Sequence, residues 1–553
     1  MYMVILEKDG DLTLPKNFRG ISMAELSAKL YAHLLKGRLE IDYEEIAPEY
    51  ANGFRPGRSR GDSIMTMKET LRKRKASGLD SYAIFWDAIK CFDKIPRKHL
   101  WRAMGKCGVD TELIQAVQST LEMTTCTLKI GDETRQINMK EGTGQGTVLG
   151  PTLCSFFFLP VLELWCKDKA KCHTQMTVKE ENEKRQTEIS TFVNSFADDT
   201  GMITGTYEDT VEIVSQFPAY MESFGVPVHL AEGVGEKSKS TVVYVPTNSK
   251  NLKRFDSCSI LVNQIKKVNF VQSCRYLGAI IHESLSDEME ITQRIGKAVG
   301  MMGILRKSVM ASKDVKMEVK RKIMLGLIIP ILLDGAENWV LTAKMTNGIT
   351  TAYNSMIRSC FRMNRFTTWK YKITTESLLQ KMDMFSLQYY LDWKILGYAG
   401  HVERMSPNRI PKQIRDASTY GTKKIGGQSK SYERQLQECL KRKGIPVELW
   451  KSMAMSKCVW RKAIRKKSIP VVTRHLYRHV EKKEYCTNPD KLVGCFVEKR
   501  FGQTWHVGKV INYEECDTKG DIIWRVIFDD DDMEDYCYDE IEKILCLDLE
   551  FIL

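Results

Sequence analysis

Thr191-Phe192-Val193-Asn194-Ser195-Phe196-Ala197-Asp198-Asp199-Thr200-Gly201-Met202-Ile203-Thr204 reads as an apolar strand, a turn and a second short strand, with Asp198 and Asp199 at the tip of the hairpin. Adjacent aspartates alone fit an ordinary solvated turn, and the chain has a run of four from Asp529 to Asp532. A second stretch changes the weighting. Tyr82-Ala-Ile-Phe-Trp-Asp87-Ala-Ile-Lys-Cys-Phe92-Asp93 is apolar on both faces before Asp87, as a central strand is. A carboxylate ending such a strand needs compensation, and a divalent cation shared with another carboxylate cluster supplies it. Asp87, Asp198 and Asp199, on two neighbouring strands, would hold two Mg2+ ions about 4 Å apart, a geometry suited to nucleotidyl transfer. Between the two stretches lies Glu141-Gly-Thr-Gly-Gln145-Gly146-Thr147-Val-Leu-Gly150-Pro151, a glycine-rich loop opening an apolar helix from Thr152 to Leu164. Glycines there permit close backbone approach to a base pair, though an ordinary helix entry has the same look.

The 553 residues predict three to five domains. The longest apolar run, Met324 to Leu333, is ten residues and contains Pro330, too short for a membrane span. The N-terminus has no secretory pattern, so the sixteen cysteines are expected to be reduced thiols in a nuclear or cytoplasmic protein. Cys166, Cys172 and His173 lack the matching half of a zinc site. Charge is uneven: residues 490–553 hold 7 Lys+Arg and 17 Asp+Glu, so a basic body carries an acidic tail. A basic body suits a polyanionic partner.

Helical and strand patterns alternate to about residue 290, with period-2 segments at Ser81 to Trp86, Thr191 to Phe196 and Thr241 to Val245. From Glu290 to Trp460 helical spacing dominates, with breaks expected near Pro330, Pro407, Pro411 and Gly426-Gly427. A basic connector, Arg461 to Lys483, precedes a final stretch of short strands.

In this order, Lys8-Asp-Gly10, Asn17-Phe-Arg19-Gly-Ile-Ser22, Asn52-Gly-Phe-Arg55-Pro-Gly-Arg58-Ser59, Phe85-Trp-Asp87 with Phe92-Asp93, Gly144-Gln145-Gly146 with Gly150-Pro151, and Phe196-Ala-Asp198-Asp199 resemble the reverse transcriptases of non-LTR (LINE-like) retrotransposons. The resemblance continues through Lys239-Ser-Thr-Val-Val-Tyr244, Tyr276-Leu277-Gly278, Leu333-Asp-Gly-Ala-Glu-Asn-Trp339 and Leu396-Gly-Tyr-Ala-Gly400-His401-Val-Glu-Arg404 to Pro411, covering about residues 4–465. It implies an α+β right-hand polymerase. Fingers and palm would occupy 1–285, the palm an antiparallel sheet backed by helices; a helical thumb 286–345; and a mainly helical basic region 346–489. It implies an RNA template, a DNA or RNA primer, dNTPs and two Mg2+ ions, with Mn2+ as an alternative. Asp87, Asp198 and Asp199 become the metal ligands and Lys239 a candidate general acid toward pyrophosphate. Lys8, Arg19 and Arg55 become contacts to nucleotide or template, Gln145 and Gly146 line the same pocket, and Phe92 is the residue that packs against the sugar. Asn338 and Trp339 are expected to pack.

Several features depart from the family. The chain begins almost at the Lys8 motif, so the expectation is a truncated element protein without an endonuclease. Gly20 replaces a usual proline, and Thr147 and Gly150 stand where Cys and Ser are frequent. Residues 490–553 resemble a Tudor-like or chromo-barrel module, a small all-β barrel in which Trp505, Tyr513, Phe528 and Tyr536 could cage a methylated side chain. Its negative charge suits a basic partner such as a histone tail. Two rivals stand beside the reverse transcriptase. One is a viral RNA-dependent RNA polymerase, which typically has Gly-Asp-Asp where this chain has Ala197-Asp198-Asp199. The other is a catalytically inactive remnant that binds nucleic acid or chromatin.

Overall fold

The computed structural model describes residues 1–465 except 8–10, 12, 15–16, 123–124, 131, 180–185, 233–237 and 418–430; beyond them it describes residue 493 and four strands between 496 and 537. The chain divides into two compact units, 1–469 and 470–553.

The centre of the first unit is the strand Ser81–Trp86, buried at all six positions. It pairs antiparallel with Asp199–Thr204 on one side and with Thr241–Val245 on the other. Val193–Phe196 completes the aspartate hairpin, while Lys266–Phe270 joins Thr241–Val245 in parallel, so this palm sheet of seven strands is antiparallel at its core with one parallel pairing beyond it. Both faces of the strand are apolar because both are covered. Tyr82, Ile84 and Trp86 pack into the cluster formed with the helices Gly150–Asp168 and Tyr207–Ser223; Ala83 and Phe85 pack with Met67 and Leu71 of the helix Arg60–Ala76. A four-stranded fingers sheet orders Phe18–Met23, Tyr2–Glu7, Thr125–Ile130 and Glu133–Asn138.

After the hairpin Ser273–Tyr276/Ala279–His282 the unit is helical, beginning with Glu288–Leu305. The break expected near Pro330 falls two residues beyond it, where the helical run ends at Leu332. Met317–Ile323 runs through a π-helical turn, Met324–Ile328, directly into Ile329–Leu332, and that wider turn lies just before the proline, whose position cannot supply an N–H. No described helix is long and apolar enough to cross a membrane.

A buried ionic cluster joins these parts. Lys68 Nζ lies 2.7 Å from Asp287 Oδ1 and 2.8 Å from Glu290 Oε2, with all three side chains at most 3% exposed. Arg72 donates to Asp287 and Glu69, each at 2.7 Å. Glu290 also accepts from the Ile280 N–H and from Trp339 Nε1, and Asp287 from the Val340 N–H. Burial works to raise the Asp287 carboxyl, but Lys68 and Arg72 overcome it and hold it below the usual carboxylate range. Asn338 Nδ2 donates to Gly61 O, so Asn338 and Trp339 pack, as expected from the sequence.

The second unit is an antiparallel meander of Phe496–Phe501, Thr504–Glu515, Ile522–Phe528 and Met533–Cys537, open at its two outer strands among the described residues. Tyr513 pairs with Trp524 and Trp524 with Tyr536, giving one aromatic row in which Trp524 is fully buried. The side chains of Trp505 and Phe528 lie outside the described residues.

Removing Lys68 leaves the buried Glu290 without a cation and Asp287 with Arg72 alone. Lys68→Met is expected to cost about 3–5 kcal/mol, read by chemical or thermal denaturation of the full chain. A cost under about 1 kcal/mol would show that water, and not Lys68, solvates Asp287 and Glu290.

Candidate active site

Asp198 and Asp199 stand where the sequence places them. Phe196 pairs with Asp199 across a two-residue turn, and Ala197, the first turn residue, has a positive φ of +59°. An alanine in that conformation is strained by about 1–2 kcal/mol and persists only if its surroundings hold it. The loop Tyr50–Phe54 does so. It lies along the first hairpin strand, exchanging Ser195 N–H to Tyr50 O and Asn52 N–H to Ser195 O, both at 2.9 Å. Asn52 Nδ2 donates to Asn194 Oδ1 and Asn194 Nδ2 to Ser63 O, tying the hairpin to the helix behind it. Gly53 touches the turn so closely that a Cβ there would sit 2.2 Å from the Ala197 nitrogen. From below, the Tyr276 hydroxyl donates to Asn194 O. Asn52, Gly53, Asn194 and Tyr276 were visible only as motif letters; their role depends on contacts between distant parts of the chain.

Asp87 emerges from its buried strand into a half-exposed position, 40% accessible, instead of ending inside the core. Its N–H donates to Ser240 Oγ and its carbonyl accepts from the His229 N–H, two supports that the sequence did not single out. Lys239 Nζ reaches 3.9 Å from Asp87 Oδ2. The three carboxylates feel one another: burial, then Asp198, then Asp87 push Asp199 up to about 6. Burial is also the main cause that raises Asp198, with Asp87 adding to it and Arg19 opposing it. Arg19 therefore faces the carboxylates from the fingers strand Phe18–Met23. Among the described residues no three His, Cys, Asp or Glu side chains are already gathered as a preformed cation cluster. A donor set of three mutually repelling carboxylates, without sulfur or imidazole, is the chemistry of a hard divalent cation.

Phe92 sits in the one-turn helix Cys91–Lys94, its ring edge-on to Phe54 at 6.2 Å. Its carbonyl accepts from the Thr143 N–H, and a Cβ on Gly142 would lie 2.5 Å from it. At its other end the same glycine-rich loop meets the fingers: Ser22 N–H donates to Gln145 O, and a Cβ on Gly146 would meet Ser22 O at 2.8 Å. The close approach expected of these glycines is thus made to protein backbone, and it spaces the fingers strand from the Asp87 turn. Arg55 requires a correction. Only 7% exposed, it donates to both Glu44 carboxylate oxygens and to the carbonyls of Pro48 and Ala51, so it clamps the Tyr50–Phe54 loop instead of meeting nucleotide. Lys8 lies outside the described residues. His173, a zinc candidate weighed and rejected from sequence, stacks on Phe192 at 4.5 Å.

The family model described as reverse transcriptase (RNA-dependent DNA polymerase) matches residues 5–281. The chain belongs to that family. Over 375 residues it is 25% identical to the Retrovirus-related Pol polyprotein from type-1 retrotransposable element R2 of Popillia japonica, covering 66% of this chain and 48% of that protein. Over 361 residues it is 21% identical to a putative 115 kDa protein in type-1 retrotransposable element R1DM of Drosophila melanogaster, covering 64% and 31%. The chain thus spans about half or less of the length of these curated relatives, which are retroelement proteins, in keeping with the LINE-like motifs. Among solved structures, telomerase from Candida albicans in complex with a fragment of telomeric RNA superposes with a TM-score of 0.36 at 12% identity, covering 79% of this chain and 64% of that one.

Two departures from the family pattern meet in space. The Thr147 hydroxyl bonds the carbonyls of Thr143 and Gly144 and accepts from the Gly150 N–H, while a Cβ on Gly150 would lie 2.8 Å from Gly144 O and 2.9 Å from Thr147 Oγ1. The Gly144 carbonyl and the Thr147 hydroxyl that bonds it together leave no room for a side chain at 150. Gly150→Ser alone is expected to destabilise by about 1–3 kcal/mol. Thr147→Cys in the same chain, which frees Gly144 O, should recover at least about 0.5 kcal/mol in a double-mutant cycle. Strict additivity would show that the two positions are independent.

Proposed function

We propose that this chain is the RNA-directed DNA polymerase of a LINE-like retroelement, joining dNTPs to a primer 3′-hydroxyl under the direction of an RNA template. The observation that carries the reading is that Asp87, Asp198 and Asp199 stand at the adjacent ends of two paired palm strands, near enough for Asp198 and Asp87 both to raise Asp199. Those carboxylates would hold two Mg2+ ions, which when bound supply charge neutralisation for the triphosphate and activation of the primer hydroxyl. The protein's own part is positional. The Gly53 loop and Tyr276 keep the aspartate turn from relaxing, so its backbone stays in place and bound cations would need to draw in only the side chains. Arg19, close enough to oppose the rise of Asp198, is placed to take the negative charge of an incoming triphosphate. Lys239, 68% exposed beside Asp87, is free to turn and deliver a proton to departing pyrophosphate. Phe92, its backbone pinned by the glycine-rich loop, offers a rigid ring beside the sugar.

Asp198→Asn removes a cation ligand and leaves the basic surface intact. It is expected to lower Mg2+-dependent dNTP incorporation on a primed RNA template by about a thousandfold or more with RNA binding nearly unchanged. Activity within tenfold of wild type would sink the assignment of the carboxylates.

Sugar choice tests the DNA-polymerase reading against an RNA polymerase. A 2′-hydroxyl would collide with the Phe92 ring, and such a clash with no compensating hydrogen bond can separate two substrates by several kcal/mol. Phe92→Val should raise rGTP incorporation relative to dGTP by about a hundredfold without altering metal dependence. If wild type already uses both sugars equally, or the variant leaves their ratio unmoved, the preference for deoxynucleotides lies elsewhere.

A further inference from the structure

From Asn338 to Thr375 the chain has no aspartate or glutamate and six cations, Lys344, Arg358, Arg362, Arg365, Lys370 and Lys372. Four of these surround three of the most exposed aromatic rings in the described residues: Phe366 is 64% accessible, Trp369 75% and Tyr371 63%. The helix that carries the first two, Arg365–Lys370, buries none of its residues. A helix this short has no intrinsic stability, and burial does not anchor it. Local bonds order it instead. The Asn364 side chain caps it by accepting from the Thr367 N–H at 2.7 Å and the Thr367 hydroxyl at 2.9 Å. Arg362 and Lys372, at φ +56° and +52°, turn the chain sharply on either side. The fold thus spends two strained residues and a side-chain cap on keeping rings in water that would otherwise pack.

The rings are arranged as a surface. The Phe366 and Trp369 centroids are 6.0 Å apart with planes inclined by 36°, and Lys370 Nζ stands 5.5 Å from the Tyr371 ring centre. Exposed apolar groups gathered in one place mark a binding surface, and the charge around these selects the partner. A second copy of this chain would bring like charges face to face. A polyanion whose own flat apolar faces are uncovered satisfies both features at once.

We propose that Phe366, Trp369 and Tyr371, with Arg362, Arg365, Lys370 and Lys372, form a stacking platform for single-stranded nucleic acid. Bases lie on the rings and phosphates on the cations, so binding tolerates any sequence and requires unpaired bases. The palm takes no part in this contact.

The test measures binding without dNTPs, so its outcome does not depend on polymerase activity. Full-length protein is titrated with a fluorescent, unstructured RNA of about twenty nucleotides, with a DNA strand of the same sequence and with the corresponding RNA duplex. Trp369→Leu combined with Phe366→Leu keeps apolar bulk and deletes the π faces. It is expected to weaken single-strand binding at least about tenfold, for RNA alone or for both sugars, while duplex binding stays within about twofold. Arg362→Gln with Arg365→Gln should lower the slope of log affinity against log salt for the single strand by about 1.4. The proposal is overturned if the leucine variant keeps its single-strand affinity, or if single strand and duplex weaken together. A marked drop in the variant's Tm would also overturn it, because a free platform has no packing to lose.

Discussion

Four buried charged side chains, Lys68, Glu69, Asp287 and Glu290, with the partly exposed Arg72, decide how the halves of the first unit meet. A buried ion cluster is a weak source of net stability, because desolvation cancels most of the Coulomb attraction. Its strength here lies in direction. Each carboxylate of the pair Asp287 and Glu290 is shared between Lys68 and a backbone N–H of another segment, Val340 for one and Ile280 for the other. Any slide of the helix Arg60–Ala76 against the helix Glu288–Leu305 would strand an ion. An apolar contact of the same area would tolerate such a slide at little cost. Glu290 adds a steric condition, since a Cβ on Gly335 would lie 2.8 Å from its Oε1.

That fixed helix is the reference on which the carboxylates are built. Its Ser63 carbonyl holds Asn194, Asn194 holds Asn52, and the loop through Asn52 and Gly53 presses on Ala197. The other end of the same chain of contacts runs through Tyr276, whose hairpin turn is held by Arg294 donating to Gly278 O. Strain in the Ala197 turn is therefore over-determined from three directions, which is the condition under which a strained functional residue survives. The later motifs join the same frame: Tyr398, His401 and Arg409 all approach Asp62 in the first turn of the Arg60–Ala76 helix.

Which parts were legible in the sequence follows from the range of the forces involved. Ser81–Trp86 and Thr241–Val245 were read to the residue because a strand buried on both faces leaves an uninterrupted apolar signature. Asp198 and Asp199 were read as a hairpin tip because turn and strands are local. Arg55 was misassigned because a guanidinium satisfied by Glu44 and two carbonyls looks, in sequence, like one waiting for phosphate. The helical run does end close to Pro330, at Leu332, but the π turn before the proline was not foreseen because it has no sequence signature of its own. Ser240 and His229, which support Asp87, belong to polar pairings about 140 to 150 residues away in the chain and leave no pattern.

The glycine-rich loop shows why the fingers and the palm carboxylates cannot drift apart independently. The Thr143 N–H fixes the loop to Phe92 and the Gln145 carbonyl fixes it to Ser22, and Gly142, Gly144 and Gly146, which flank and separate these two anchors, all have positive φ. A stretch with three left-handed residues has few conformations that also satisfy both bonds, so its length is effectively constant. The Thr147 hydroxyl closes the loop on itself and packs against the space in which Gly150 must lack a side chain. The loop thus ties the fingers strand bearing Arg19 to the one-turn helix that follows Asp87. On the proposed reading, triphosphate charge would meet Arg19 on one side of this tie and the sugar the Phe92 ring on the other, so substrate reach and sugar discrimination would depend on the same few backbone bonds.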